Sequence, residues 1–196
     1  MNEQTAAMVR AGTHLEASLT DLPGALQITW SVTSNLRVPL VVLRHLFQGF
    51  DPEGRLLVER NVAYVSVGEQ GDVNVCKKLI PVPPRGVHVI TPFVPLGDEL
   101  APGARISEVF SLQTPVTAWD PYGEIRQMVT GYRGTRSVTA TRVRFSLGVY
   151  LADPARPHQR VQTALGALIY PHFQPVLDAQ VVLDARPLVW TGAAYR

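Results

Sequence analysis

Cys76 is followed directly by Lys77 and Lys78. A neighbouring ammonium lowers a thiol pKa and makes the thiolate more available. No histidine stands close in sequence to serve as its base. Alternation in a strand places Ile80 on the side of Cys76, and Val73, Val75 and Leu79 on the other, so a buried structural cysteine is the expected role. His14, His45, His88, His158 and His172 never fall two, three or four residues apart, so local metal-ligand spacing is missing. Asp98-Glu99 and the pair Asp51 and Glu53 lie in turns, with too few carboxylates in either place for a calcium loop. There is no Gly-x-Ser-x-Gly elbow. Gly68-x-x-Gly71 lacks the third glycine and the following helix of a phosphate-binding loop. These readings point away from an enzyme and imply no cofactor and no metal.

One concentration of chemistry stands above background, and it is basic. Arg126, Arg133, Arg136, Arg142 and Arg144 surround Tyr132, and no acid follows Glu124 in that stretch. Arg142 and Arg144 share a strand face, about 7 Å apart by strand rise. Guanidinium groups make bidentate contacts to carboxylates and phosphates. Arg133, Arg136, Arg142 and Arg144 are therefore the candidate partner-binding residues. The competing reading is a solvated face that discourages edge-to-edge pairing. A second candidate surface is apolar: Thr91-Pro-Phe-Val-Pro-Leu96 and Ala118-Trp-Asp-Pro-Tyr122 set large side chains beside prolines. Such residues serve either an interface or a plug over an open core.

Positioning these residues falls to strands. Ala25-Leu-Gln-Ile-Thr-Trp-Ser-Val-Thr33 alternates without a break, sending Leu26, Ile28, Trp30 and Val32 to one face. Ile106, Phe110 and Leu112 share a face, as do Val143, Phe145, Leu147 and Val149, with Arg142, Arg144 and Ser146 opposite. Asp51-Pro-Glu-Gly54 is a turn signal, and Val58 to Val67 pairs with Asp72 to Ile80 across Gly68-Glu-Gln-Gly71. Gly166 weakens a helix, so Val161 to Ile169 is read as extended. Val176 to Leu183 and Pro187 to Trp190 finish the sheet. Turn spacing of roughly 8–12 residues predicts an all-β, antiparallel two-sheet sandwich, with residues 1–12 a flexible lead and 13–196 one domain.

Composition sets outer bounds. The chain has 196 residues, of which 46% are hydrophobic and 17% charged, enough for a core and unlike a disordered chain. A formal net charge of +2 is too small to argue for a nucleic-acid partner. No apolar run suffices to cross a bilayer, no secretory signal is visible, and the single cysteine suits a reducing compartment. The expected location is cytoplasmic.

The turn Leu100-Ala-Pro-Gly103, followed by a strand and then Pro115, resembles the Leu-x-Pro-Gly turn of bacterial immunoglobulin-like domains. There it leads one edge strand into the next sheet. The resemblance covers about a third of the chain and implies an immunoglobulin-like sandwich. It carries over no residue roles, because fold alone does not fix function. The expectation is a non-enzymatic interaction module whose partner is another protein or a second copy of the chain. The alternatives are a structural subunit of a homo-oligomer and a loop-based small-ligand binder or enzyme.

Overall fold

A computed structural model of the chain describes residues 3–82, 93–119, 121–123, 136–152 and 159–195. Its first elements are helix α1 (Glu3–Gly12) and strands β1 (Thr13–Leu22), β2 (Ala25–Ser34), β3 (Leu40–Phe50), β4 (Leu56–Glu59), β5 (Tyr64–Val67) and β6 (Asp72–Lys77). Then come β7 (Leu96–Leu100), β8 (Arg105–Gln113), β9 (Val116–Thr117), β10 (Ser137–Leu151), β11 (Gln159–Thr163) and β12 (Gly166–Tyr170). Helix α2 (Phe173–Ala179) and strands β13 (Val181–Asp184) and β14 (Leu188–Tyr195) end the chain.

The chain is all-β, as its alternation predicts, and one three-stranded sheet runs in the order β1-β2-β8. Pro23-Gly24 joins β1 to β2, with Gly24 at φ 75°, a conformation that L side chains rarely adopt. The other strands form one larger sheet with the path β4-β11-β12-β7-β3-β10-β14-β9, while β13 and β6 also pair with β10 and β5 pairs with β6. A further pairing of β4 with β3 closes β3, β4, β11, β12 and β7 into a five-stranded barrel. This closure departs from the simple sandwich expected, and the parallel pairings of β6 with β10, β9 with β14 and β4 with β11 correct the expectation that every strand is antiparallel. Closure removes free edges from that part of the sheet.

The main core lies between the three-stranded sheet and the larger one. Leu26, Ile28, Trp30, Val32, Phe110, Phe145, Leu147 and Val149 all belong to it. Trp30 stacks on Phe145 with ring centroids 5.6 Å apart. A second cluster joins Val41, Leu43, Leu79, Val94, Tyr150, Ile169 and Val176, with α2 as its cover. Strand β3 serves both. Leu40 and Val42 face the first cluster, and Val41 and Leu43 the second. Its unbroken apolar run follows from burial on both faces.

Three further expectations are corrected. Glu3–Gly12 is a helix, not a flexible lead, and its Val9 is fully buried in the main core. The stretch read as a strand from Val176 starts inside α2, and only Val181–Asp184 is extended. Pro175 sits in the first turn of α2, where its missing N–H would have no helical partner in any case. The run Val58 to Val67 divides into β4 and β5. Val161 to Ile169 is extended as expected, as the hairpin of β11 and β12.

Trp30 is 1% exposed, so Trp30→Ala should lower stability by about 3–5 kcal/mol. Equilibrium urea unfolding measures this, and a loss under about 1 kcal/mol would mean that the two sheets do not pack through Trp30.

Candidate functional site

The arginine strand lies where its alternation puts it. In β10, Val143, Phe145, Leu147 and Val149 are fully buried, and Arg142 and Arg144 are exposed on the other face. Arg136 is exposed just ahead of the strand, while Arg126 and Arg133 lie outside the described residues. Register assigns neighbours to each arginine. Arg142 stands beside Asp72 of β6 and Val189 of β14, and Arg144 beside Asn74. Ser146 stands beside Cys76 and Asp184, and donates to Asp184 Oδ1 at 2.6 Å. Cys76 is in turn opposite Tyr64 of β5.

These side chains share one outward face. Arg142 Nε lies 2.8 Å from Asp72 Oδ1, an ion pair between an exposed guanidinium and a half-buried carboxylate. At one margin Trp119 exchanges two backbone hydrogen bonds with Val65 and stacks on Tyr64, with ring centroids 5.5 Å apart. Trp119 is 44% exposed, and at the other margin Val189 is 89% exposed. Cys76 is half-buried on this face, which corrects the expectation of an enclosed thiol. The inner positions of β6 belong to Val73, Val75 and Lys77.

The other loop aromatics are plugs. Tyr122 is fully buried, its hydroxyl accepts from the Phe93 N–H at 3.2 Å, and the two rings meet edge to face.

A second constellation, missed in the sequence, lies between the sheets. Lys77 is fully buried. Its Nζ donates to the Arg44 carbonyl at 3.2 Å, to the Arg60 carbonyl and to Glu108 Oε1. Glu108 comes from β8 and also takes Arg44 Nη1 at 3.4 Å. Arg44 Nε and His45 Nε2 both meet Asp98 Oδ2 at 2.5 Å. Opposite β7, Leu43 pairs with Gly97 and His45 with Leu96, so Arg44 is an extra residue in β3. Such a bulge re-aims side chains, and here it brings both Arg44 and His45 to one carboxylate.

Burial pushes the Lys77 ammonium below its ordinary pKa, and the Glu108 carboxylate pulls it back. For Asp98, burial alone would raise the pKa, but hydrogen bonds from His45 and Arg44 outweigh it and hold the group at about 2. Lys77 spends its three N–H donors on three acceptors, which is the ammonium form. No lone pair is left for nucleophilic chemistry. The signal was parity: Lys77 shares the face of Val73 and Val75, and Glu108 that of Ile106 and Phe110. A charge in an inward position of a strand is the cue.

Elsewhere, His14 pairs with Glu16 at the surface and His172 holds the N-cap position of α2 without a side-chain capping bond, while His88 and His158 lie outside the described residues. No group of three or more metal-ligating side chains occurs among the described residues. Comparisons with protein-family models, with curated proteins and with solved structures found no match to the chain.

Two outcomes follow from the buried cluster. Lys77→Ala should cost about 3–5 kcal/mol, because it leaves Glu108 with Arg44 alone and the Arg44 and Arg60 carbonyls without their donor, whereas Lys77→Met with Glu108→Leu should recover only the part due to Glu108. Denaturant unfolding of the three proteins tests this, and additive losses would contradict it. Asp98 has a folded pKa below its unfolded value, so its contribution is complete above about pH 4 and is lost as pH falls towards 2. Stability measured across that window should fall less steeply in Asp98→Asn than in the wild type.

Proposed function

We propose that the protein is a non-enzymatic interaction module that binds another protein through the outward face of β5, β6, β10 and β14. One observation carries this reading. Val189, an apolar side chain 89% exposed, stands beside Arg142 on the face that also presents Arg144. Trp119 and Tyr64 add a stacked aromatic pair at the margin. Arginine and aromatic residues around an apolar contact are the composition of binding hot spots. The partner surface is acidic with an apolar element, since Arg136, Arg142 and Arg144 outnumber the acids Asp72 and Asp184 around them. The saturated donors of Lys77 support the non-enzymatic part of the reading.

The immunoglobulin-like architecture belongs to the same proposal, for the half of the molecule where the two sheets pack. Its support is the turn Leu100-Ala-Pro-Gly103, with Gly103 at φ 73°, which leads β7 of the larger sheet into β8 of the smaller one. Among the described residues, no helix is long and apolar enough to cross a membrane.

The test is capture of partners from the native host by the wild type and by Arg144→Glu/Val189→Ser, at low and high salt. Exposed substitutions of this kind change stability by no more than about 0.5 kcal/mol. The variant should lose the partner, and salt should weaken the wild-type complex. Equal recovery of the same proteins in every arm would sink the assignment of this face.

A further inference from the structure

The three-stranded sheet ends in β1 on one side and β8 on the other, and neither pairs beyond β2 among the described residues. Hydrogen-bond parity separates the two edges. The Asn35 N–H donates to the Gly12 carbonyl at 2.7 Å, one step beyond the Thr13–Ser34 pair. In an antiparallel ladder, bonded and non-bonded pairs alternate. His14, Glu16, Ser18 and Thr20 therefore bond to β2, whereas Leu15, Ala17 and Leu19 turn their N–H and C=O groups to the open edge. Those same residues have inward side chains. Ala17 and Leu19 are only half-buried, although Ile28 and Trp30 beside them on β2 are covered.

On β8 the parity is reversed. The Ser34 N–H donates to the Ala104 carbonyl and the Thr114 N–H to the Gly24 carbonyl, so even-numbered residues bond to β2. The free groups belong to Arg105, Ser107, Val109, Ser111 and Gln113, whose side chains point outward. β8 also carries the inward charge Glu108, a device that blunts an edge. β1 has no inward charge between Thr13 and Leu19, no proline, and ten successive pairs with β2 without a bulge.

We propose that β1 is a self-pairing edge, and that two copies of the chain join through it in an antiparallel, two-fold symmetric dimer centred on Ala17. Bonded pairs must match free groups to free groups, and opposed side chains share a face. β1 against β1 satisfies both and keeps the two cores on the same side of the joined sheet. β1 against β8 of another copy would set inward residues of one copy against outward residues of the other, turning the two cores to opposite sides of the sheet. Centring on Ala17 opposes Leu15 to Leu19 and Glu16 to Ser18, with apolar residues meeting inside and no like charges facing. Centring on Ser18 would oppose Leu15 to Asp21. A partner that adds its own strand would use the same backbone groups, whereas a second copy supplies this apolar match through its own Leu15, Ala17 and Leu19.

Light scattering on a sizing column measures the result. The wild type should give twice the 21.5 kDa of one chain, in a concentration-dependent equilibrium. Ala17→Pro removes an N–H that faces away from β2, so the fold should survive while the mass halves. Circular dichroism shows whether it has. As a second arm, Ala17→Cys on a Cys76→Ser background places two thiols on the symmetry axis. Bonded antiparallel pairs hold their Cα atoms about 5.5 Å apart, inside the disulfide range, so mild oxidation should give a covalent dimer. A wild-type mass of one chain at every concentration overturns the proposal. So does a ladder of larger species, a dimer unaffected by Ala17→Pro, or no cross-link in the cysteine variant.

Discussion

The ammonium of Lys77 stands where the larger sheet forks. Strand β10 pairs with β6 from Arg142 to Leu147 and with β3 from Val149 to Leu151, so one neighbour replaces the other partway along its side. At such a junction, backbone carbonyls lose their ladder partners, and a buried carbonyl left unpaired is costly. Lys77, the last residue of β6, satisfies two of them, from Arg44 and Arg60. Its third donor goes to Glu108 on the opposite sheet, and its charge lies 4.7 Å from the Phe110 ring. One side chain thus closes the fork and ties the two sheets together. Taking two charges out of water costs several kcal/mol per ion, and three saturated donors offset that. What remains is a requirement on register. Glu108 meets both Lys77 and Arg44 in one position of β8, and a slip of one residue would turn it to solvent.

The bulge at Arg44 links this junction to the barrel. Before it, β3 alternates between two cores. At it, Arg44 and His45 both turn towards Asp98. The carboxylate joins a barrel strand, β7, to the same network that reaches β8 through Arg44. The barrel and the three-stranded sheet's core are coupled by charges on a strand they share, while apolar packing inside each is separate.

What could be read in the sequence was whatever a period of two encodes. β2, β8 and β10 announce their buried faces, and Arg142 and Arg144 fall outward because Val143 and Phe145 fall inward. The charged core was legible by the same rule, but a Lys-Lys pair reads as solvated until the parity of Val73 and Val75 is applied to Lys77. Barrel closure was beyond reach: β4 folds back on β3 as a local hairpin, but its pairing with β11 joins segments distant in sequence, and no local pattern specifies which strands close. Helix α2 was hidden because Val176 and its neighbours also fit a strand, while Pro175 in the first turn helps to begin the helix. The exposure of Val189 was hidden for a related reason. It sits in a strand rich in β-formers, and only the placement of β14 beside Arg142 shows that its face is wet.

Residue chemistry explains one last choice. The chain uses arginine almost throughout, with sixteen arginines against Lys77 and Lys78, yet among the described residues the Lys or Arg that is fully buried is Lys77. A guanidinium presents its donors in one plane and suits two parallel contacts to a single carboxylate. The acceptors here are two carbonyls from separate segments and a carboxylate from the other sheet. Three acceptors from three segments suit the three radial donors of an ammonium better than a planar fork. Arg44 takes the complementary task. It stands nearer the surface, 14% exposed, and spreads its planar head between Asp98 and Glu108. Each cation occupies the place whose acceptors match its geometry, and the pair together holds Glu108 between the sheets.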